Sequence, residues 1–376
     1  MCKLVMRIKP FKLERYFAPY EFSAKYLLCS SDCDGLSQKE LVRRADEESK
    51  TLWDNLKLGY TESQGHPLLR VEVAKLYTNI STEDVLIVAP EEGIFILLNV
   101  LLNRGDHVVC TFPGYQSHYE VVESLGCEVT RWTPKESENW KFDIDELAKL
   151  VRPNTKLIII NFPHNPTGYL PSREDFGKII ELAKEKNIYL FSDAMYWLLE
   201  YDPTFRLPAA CDLYDRAIDL FGMSKTFGMA GARIGWLATR DKKLLEQVKI
   251  FKDYTTICSS APSEILSIIA LRNKEAIINT HLRRIEKNLR LLDSFFDKFS
   301  SKFTWVRPKA GTIGFPRILF EEEASSFCGR VVKETGIMLL PSTVYDYDNY
   351  HFRIGFGREN MPEALEKFED YIKKSL

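Results

Sequence analysis

Seven short apolar runs recur between residues 84 and 238, and helical spacing fills much of the sequence between them. The runs cover residues 84–88, 107–112, 128–132, 156–160, 188–191, 217–221 and 233–238. Most are continuously apolar rather than alternating, which suits strands covered on both faces. Residues 68–77 and 93–102 place apolar side chains at helical spacing. Strands that alternate with helices in this way predict an α/β fold, with a mostly parallel sheet lying between helices. With 376 residues, 45% of them hydrophobic, the chain can bury a large core. Residues 273–300 read as one long charged helix. Beyond it, strand-like runs at 303–306, 312–319 and 351–356 mix with helices at 324–335 and 362–374. That pattern predicts a smaller α+β unit. The expected division is a large domain at 56–272, with residues 1–55 and 273–376 forming an N-terminal arm plus a small C-terminal domain. The arm is rich in aromatics (Phe11, Tyr16, Phe17, Tyr20, Phe22, Tyr26) and is expected to pack on the body.

Composition excludes several function classes. The 51 basic and 53 acidic residues give a net charge of −2, so no bulk attraction to nucleic acid is expected. No apolar run reaches membrane-spanning length, and residues 1–7 hold too short an apolar stretch for a secretory signal. The eight cysteines, at 2, 29, 33, 110, 127, 211, 258 and 328, form no C-x-x-C pair. No metal site is expected from them, and a reduced, cytoplasmic protein is.

Polar clusters follow the carboxyl ends of the predicted strands. Asn161-Phe162-Pro163-His164-Asn165-Pro166-Thr167-Gly168 follows one, and Ser192-Asp193-Ala194-Met195-Tyr196 closes another. Open α/β sheets bind ligands at that edge. Next along the chain comes Ser224-Lys225-Thr226-Phe227-Gly228, with Arg233 eight residues after the lysine. A lysine among small residues, followed by a cation, suits pyridoxal 5′-phosphate (PLP). Its aldehyde takes a lysine amine, and its phosphate takes cations and backbone N–H groups.

In this order and spacing, the Asn-Pro-Thr-Gly, Asp-x-x-Tyr, Ser-Lys and Arg elements resemble the class I/II aminotransferases of PLP fold type I. The resemblance covers about residues 40–370. It implies a PLP-dependent aminotransferase that moves the amino group of an α-amino acid to a 2-oxo acid. Lys225 then forms the Schiff base and carries the proton. Asp193 faces the pyridine nitrogen, and Asn165 and Tyr196 reach the phenolic oxygen. Tyr115 aligns with the aromatic that stacks on the ring. Arg353 matches the arginine that grips the substrate carboxylate, with Asn165 beside it. Arg233 and Ser224 serve the phosphate. Tyr60 aligns with a tyrosine that reaches the partner subunit's phosphate, which implies a homodimer with shared sites.

Two positions depart from the family pattern. Ala89-Pro90-Glu91-Glu92-Gly93 has two acids where small or hydroxyl residues are usual, so Glu91 and Glu92 are expected to offer backbone N–H groups and turn their carboxylates away. Gly222 stands where serine is common. The arm, with Leu13–Phe22 and Ser31-Asp32-Cys33-Asp34-Gly35, resembles the capreomycidine synthase group, which cyclises a hydroxylated arginine derivative. A lyase or cyclase of the same fold is the alternative reading, since these reactions share cofactor contacts. A non-catalytic PLP-binding regulator is a remote third, with no room for a DNA-binding domain ahead of the fold.

Overall fold

The computed structural model describes residues 8–375, so Cys2 and the rest of the residue 1–7 segment lie outside it. Ten strands form two sheets. The larger contains β1 (Val85–Val88), β2 (His107–Thr111), β3 (Glu128–Trp132), β4 (Thr155–Asn161), β5 (Tyr189–Asp193), β6 (Ala217–Gly222) and β7 (Gly235–Ala238). Their order is β1-β7-β6-β5-β4-β2-β3. Four adjacent pairs are parallel, and β7 runs antiparallel to both its neighbours. The central strands are buried along nearly their whole length, which explains their unbroken apolar sequence. Helices cover both faces, and separate hydrophobic clusters fill the two sides.

Sequence chemistry fixes the helix starts. Ser172 accepts a bond from the Asp175 N–H at the head of Arg173–Glu185, and Pro90 and Pro262 occupy first turns that need no donor there. The long helix Lys274–Lys298 buries one stripe, including Ile285, Leu289, Leu292, Phe295 and Phe296. That stripe meets Phe303, Phe327, Phe352 and Phe368 in a second core. Over this core lies the small sheet of β8 (Ile313–Gly314), β9 (Leu340–Pro341) and β10 (Phe352–Gly355), ordered β8-β10-β9 and antiparallel.

One expectation needs correction here. Residues 303–306 and most of 312–319 are not strands; only isolated bridges join Phe303 to Ile318 and Arg317 to His351. Pro316 interrupts the ladder two residues after β8. Residues 8–55 contain the helices Lys12–Phe17, Gln38–Val42 and Glu47–Asp54. The described arm packs as expected through Leu13, Tyr16, Phe17 and Tyr20, but Phe22 is exposed.

The arm also threads the molecule together. Tyr26 exchanges backbone bonds with Gly336 and Met338, the Gly355 N–H donates to Leu28 O, and the Leu36 N–H donates to Gly228 O. It therefore runs from the small sheet to the loop that carries Lys225.

Candidate functional site

A cavity of about 300 Å³ opens at the carboxyl ends of β4, β5 and β6, a size at the low end of ordinary small-molecule sites. The register of the parallel strands builds it: Asn161 pairs with Asp193, and Asp193 with Leu220. Asn161 acts as a brace. Its Oδ1 accepts from the Asn165 N–H at 2.8 Å, and its Nδ2 donates to Asp193 O at 2.9 Å. Asn165, Asp193, Tyr196, Ser224, Lys225, Arg233 and Arg353 all line this one cavity although they span 188 residues of sequence.

Lys225 projects into the cavity, where its Nζ donates to Ser31 Oγ at 2.9 Å. Burial pushes the amine below its ordinary value; Asp32 opposes the shift, and Arg353 and Arg233 add to it. A lysine in this setting holds a larger neutral, nucleophilic fraction than a surface lysine. Asp193 Oδ1 accepts from the Met195 N–H at 3.2 Å. Its Oδ2 lies 3.0 Å from His118 Nε2, without the alignment of a hydrogen bond. Tyr196 is 3% exposed, and its hydroxyl has no partner among the described residues. Burial pushes that phenol upward.

Arg353 is 2% exposed, so it is no surface residue. Its Nε donates to Cys29 O at 3.0 Å, and its Nη1 to Tyr345 Oη at 2.7 Å and Asn165 Oδ1 at 3.4 Å. Nη2 makes no hydrogen bond among the described residues, so one edge of a rigid fork remains for a ligand.

The phosphate end is unusual. Arg233 has a left-handed backbone (φ 51°) after the turn Ala230–Ala232, and its Nη1 touches Ala230 O at 3.2 Å. Pro90, Glu91 and Glu92 open the helix Pro90–Leu101, whose N-terminal dipole favours an anion. The two glutamates behave differently. Glu92 is drawn off to the Thr256 N–H and hydroxyl at 3.2 and 2.8 Å. The Glu91 carboxylate is bonded by the Ser117 hydroxyl, and its other oxygen is buried without a partner among the described residues. Burial pushes it upward, while Ser117 and Tyr115 hydrogen bonds oppose the shift. Gly222 has a steric cause. A Cβ there would meet Gly235 Cα at 3.0 Å and Pro90 Cγ at 3.1 Å, so a serine would be crowded behind this proline and its neighbours would have to give way.

Tyr115 lines the cavity, its ring centroid 5.2 Å from Phe11 and 5.8 Å from His118. Tyr60 does not line the cavity; it is 89% exposed on the surface. Sequence reasoning missed His118, Ser31 and Asp32. His118 carried a signal: it is a polar residue one turn after Tyr115 in a stretch that becomes fully buried. Ser31 and Asp32 reach the site only through the path of the arm, which no local pattern encodes.

These groups fit PLP. An amine of lowered basicity, a strand-end carboxylate, a buried phenol without a partner and a helix N-terminus beside an arginine match its aldehyde, ring nitrogen, phenolic oxygen and phosphate.

Comparison with known proteins agrees with this geometry. The model of the family "Aminotransferase class I and II" matches residues 23–368. The chain is 25% identical over 266 residues to capreomycidine synthase of Streptomyces vinaceus, covering 71% of this chain and 68% of that protein. It is 26% identical over 367 residues to aspartate aminotransferase of Sulfolobus acidocaldarius, covering 91% and 90%. A crystal structure of a PLP-dependent aminotransferase from Streptococcus suis 89-1591 superposes with a TM-score of 0.91 at 28% identity, covering 98% and 99% of the two chains.

Proposed function

The chain belongs to the class I and II aminotransferases and is a PLP-dependent aminotransferase, and from that premise we propose how its own residues divide the work. Bound PLP supplies an electron sink that acidifies the substrate Cα–H. Lys225 would be the residue that holds the cofactor, and its amine would carry the proton from Cα. Asp193, backed by His118, keeps the ring nitrogen protonated. Asn165 and Tyr196 donate to the phenolic oxygen, and Tyr115 covers one face of the ring. Arg233, Ser224 and the N–H groups of Glu91 and Glu92 hold the phosphate. Arg353 clamps the substrate α-carboxylate beside Asn165, leaving the Cα–H near the Lys225 amine.

One observation carries this reading. Lys225 reaches a buried cavity that it shares with a strand-end carboxylate and with a buried arginine whose fork is partly unspent. The test is to mix the PLP-loaded protein with single amino acids and follow cofactor absorbance and products by mass spectrometry. Transfer predicts a 2-oxo acid and aminated cofactor in equal amounts. A product that keeps its nitrogen, with the cofactor unchanged, would favour the cyclase reading that the similarity to capreomycidine synthase supports.

The active unit we propose is a homodimer, with Tyr60 completing the partner's phosphate site. Leu58, Tyr60 and Tyr254 are 86%, 89% and 87% exposed, and a hydrogen bond from Thr61 to Ser259 ties their two segments together. Apolar exposure of that size supports a covered face. The division into a 56–272 domain and a second unit from 1–55 and 273–376 follows the two sheets. The free cysteines support a reducing, cytoplasmic setting.

A further inference from the structure

The N-terminal arm brings charge into the cavity that the roles above do not use. Leu13, Glu14, Phe17 and Glu21 line the cavity from the helix Lys12–Phe17 and the turn after it, in which the Glu21 N–H donates to Phe17 O at 2.8 Å. Glu14 and Phe17 stand one turn apart, so a carboxylate and an apolar ring share one helix face. Glu14 and Glu21 are exposed, and neither has an ion pair or hydrogen bond through its side chain among the described residues.

Three of the cations nearby are committed. Arg233, Lys225 and Arg353 serve phosphate, aldehyde and α-carboxylate under the reading above. Arg358, the remaining cation on the wall, donates to Asp32 through Nη2 at 3.1 and 3.2 Å, and its buried Nε has no partner among the described residues. A substrate with a side-chain carboxylate would meet Arg358 only beside the Asp32 carboxylate and would pass two free glutamates. The cavity is a ligand site on independent grounds: Tyr196 and Arg353, 3% and 2% exposed, face it with an unpartnered hydroxyl and an unspent guanidinium edge.

We propose that the amino acid substrate has a cationic side chain, an ammonium or a guanidinium, whose apolar stem lies along Leu13 and Phe17 and whose head meets Glu14 and Glu21. This rests on the aminotransferase reading and adds the substrate class to it. Two carboxylates select a cation by attraction, and they reject an acidic side chain by repulsion and by leaving it unpaired.

The test uses the PLP-loaded protein and three groups of amino acids: lysine, ornithine and arginine; norleucine and citrulline; glutamate and aspartate. Arginine and citrulline have nearly the same shape and differ in charge. The first group should react at least ~10-fold faster in kcat/KM than the second, with the advantage shrinking as salt is added. Glu14→Gln and Glu21→Gln should each cut the preference for arginine over citrulline by about 10-fold, through KM, with cofactor absorbance unchanged. Both side chains are exposed and the replacement is isosteric, so folding is not at issue; circular dichroism checks it. Citrulline or glutamate reacting as well as arginine would overturn the proposal and leave the aminotransferase reading intact. So would a preference unaltered in both variants. If no amino acid of any charge changes the cofactor spectrum, the aminotransferase reading itself fails.

Discussion

A buried lysine and a half-buried one sit in different regions of this molecule, and only the half-buried one is placed for chemistry. Lys252, at the end of the helix Lys242–Lys252, is 1% exposed and donates to Ser63 O at 2.8 Å and Ile257 O at 2.9 Å. Lys225 faces a cavity and has one hydrogen bond, to a serine hydroxyl. Burial pushes both amines below their ordinary value, with Glu92 opposing for Lys252 and Asp32 for Lys225. The perturbation therefore does not separate them. What separates them is satisfaction and access. Two carbonyls occupy Lys252 and tie two loops together, whereas Lys225 has donors to spare and space in front of it.

Several substitutions can break or sharpen this contrast. Lys225→Ala should cost on the order of 10³-fold or more in turnover, because it removes both the attachment and the proton carrier. Steady-state kinetics with the best amino acid checks this, and the Lys252→Met enzyme should keep most of its turnover. Arg353→Lys should cost about 2–3 kcal/mol in kcat/KM across all amino acids, since it keeps the charge and loses the fork. Cofactor affinity, read by absorbance titration, should stay nearly unchanged, whereas Arg233→Ala should weaken it.

The smaller effects concern stability. Lys252→Met leaves two carbonyls without a donor, and urea unfolding should show a loss of about 2 kcal/mol. Lys225→Met should act in the opposite sense. In the cofactor-free protein it should gain about 1 kcal/mol at neutral pH, as removal of an unfavourably placed functional group commonly does. The sign follows from linkage. The folded protein releases the Lys225 proton at a lower pH than the unfolded chain, whose value is 10.5. Between those two values the unfolded chain binds more protons, so wild-type stability rises with pH there, and the penalty is full below the folded value. The gain from Lys225→Met should therefore shrink toward pH 10.5. A gain independent of pH would show that the amine is not held out of its preferred state.

The large sheet was legible because each strand is short, apolar and buried on both faces, so its sequence repeats one signal. The small sheet was not. β8 and β9 have two residues each, and backbone bridges around prolines replace a ladder. Within the cavity, the groups following β4, β5 and β6 could be read from position alone, because parallel strands bring their carboxyl ends to one edge. The groups from the arm could not. Ser31 and Asp32 arrive through long-range backbone bonds that join Leu28 to the glycine at 355 and Leu36 to the glycine at 228, and Glu14 and Glu21 through a helix held by Gln116 and Leu339; no local pattern announces those bonds. The setting of Glu91 was hidden for a related reason. Its orientation depends on Ser117 and Tyr115, which belong to a segment 24 to 26 residues away.

The most direct test is to reduce the PLP-loaded protein with borohydride, digest it and sequence the labelled peptide. The account predicts one labelled lysine, Lys225, and no label in the Lys225→Ala protein. Label on Lys252, or on any lysine outside the cavity, would contradict it.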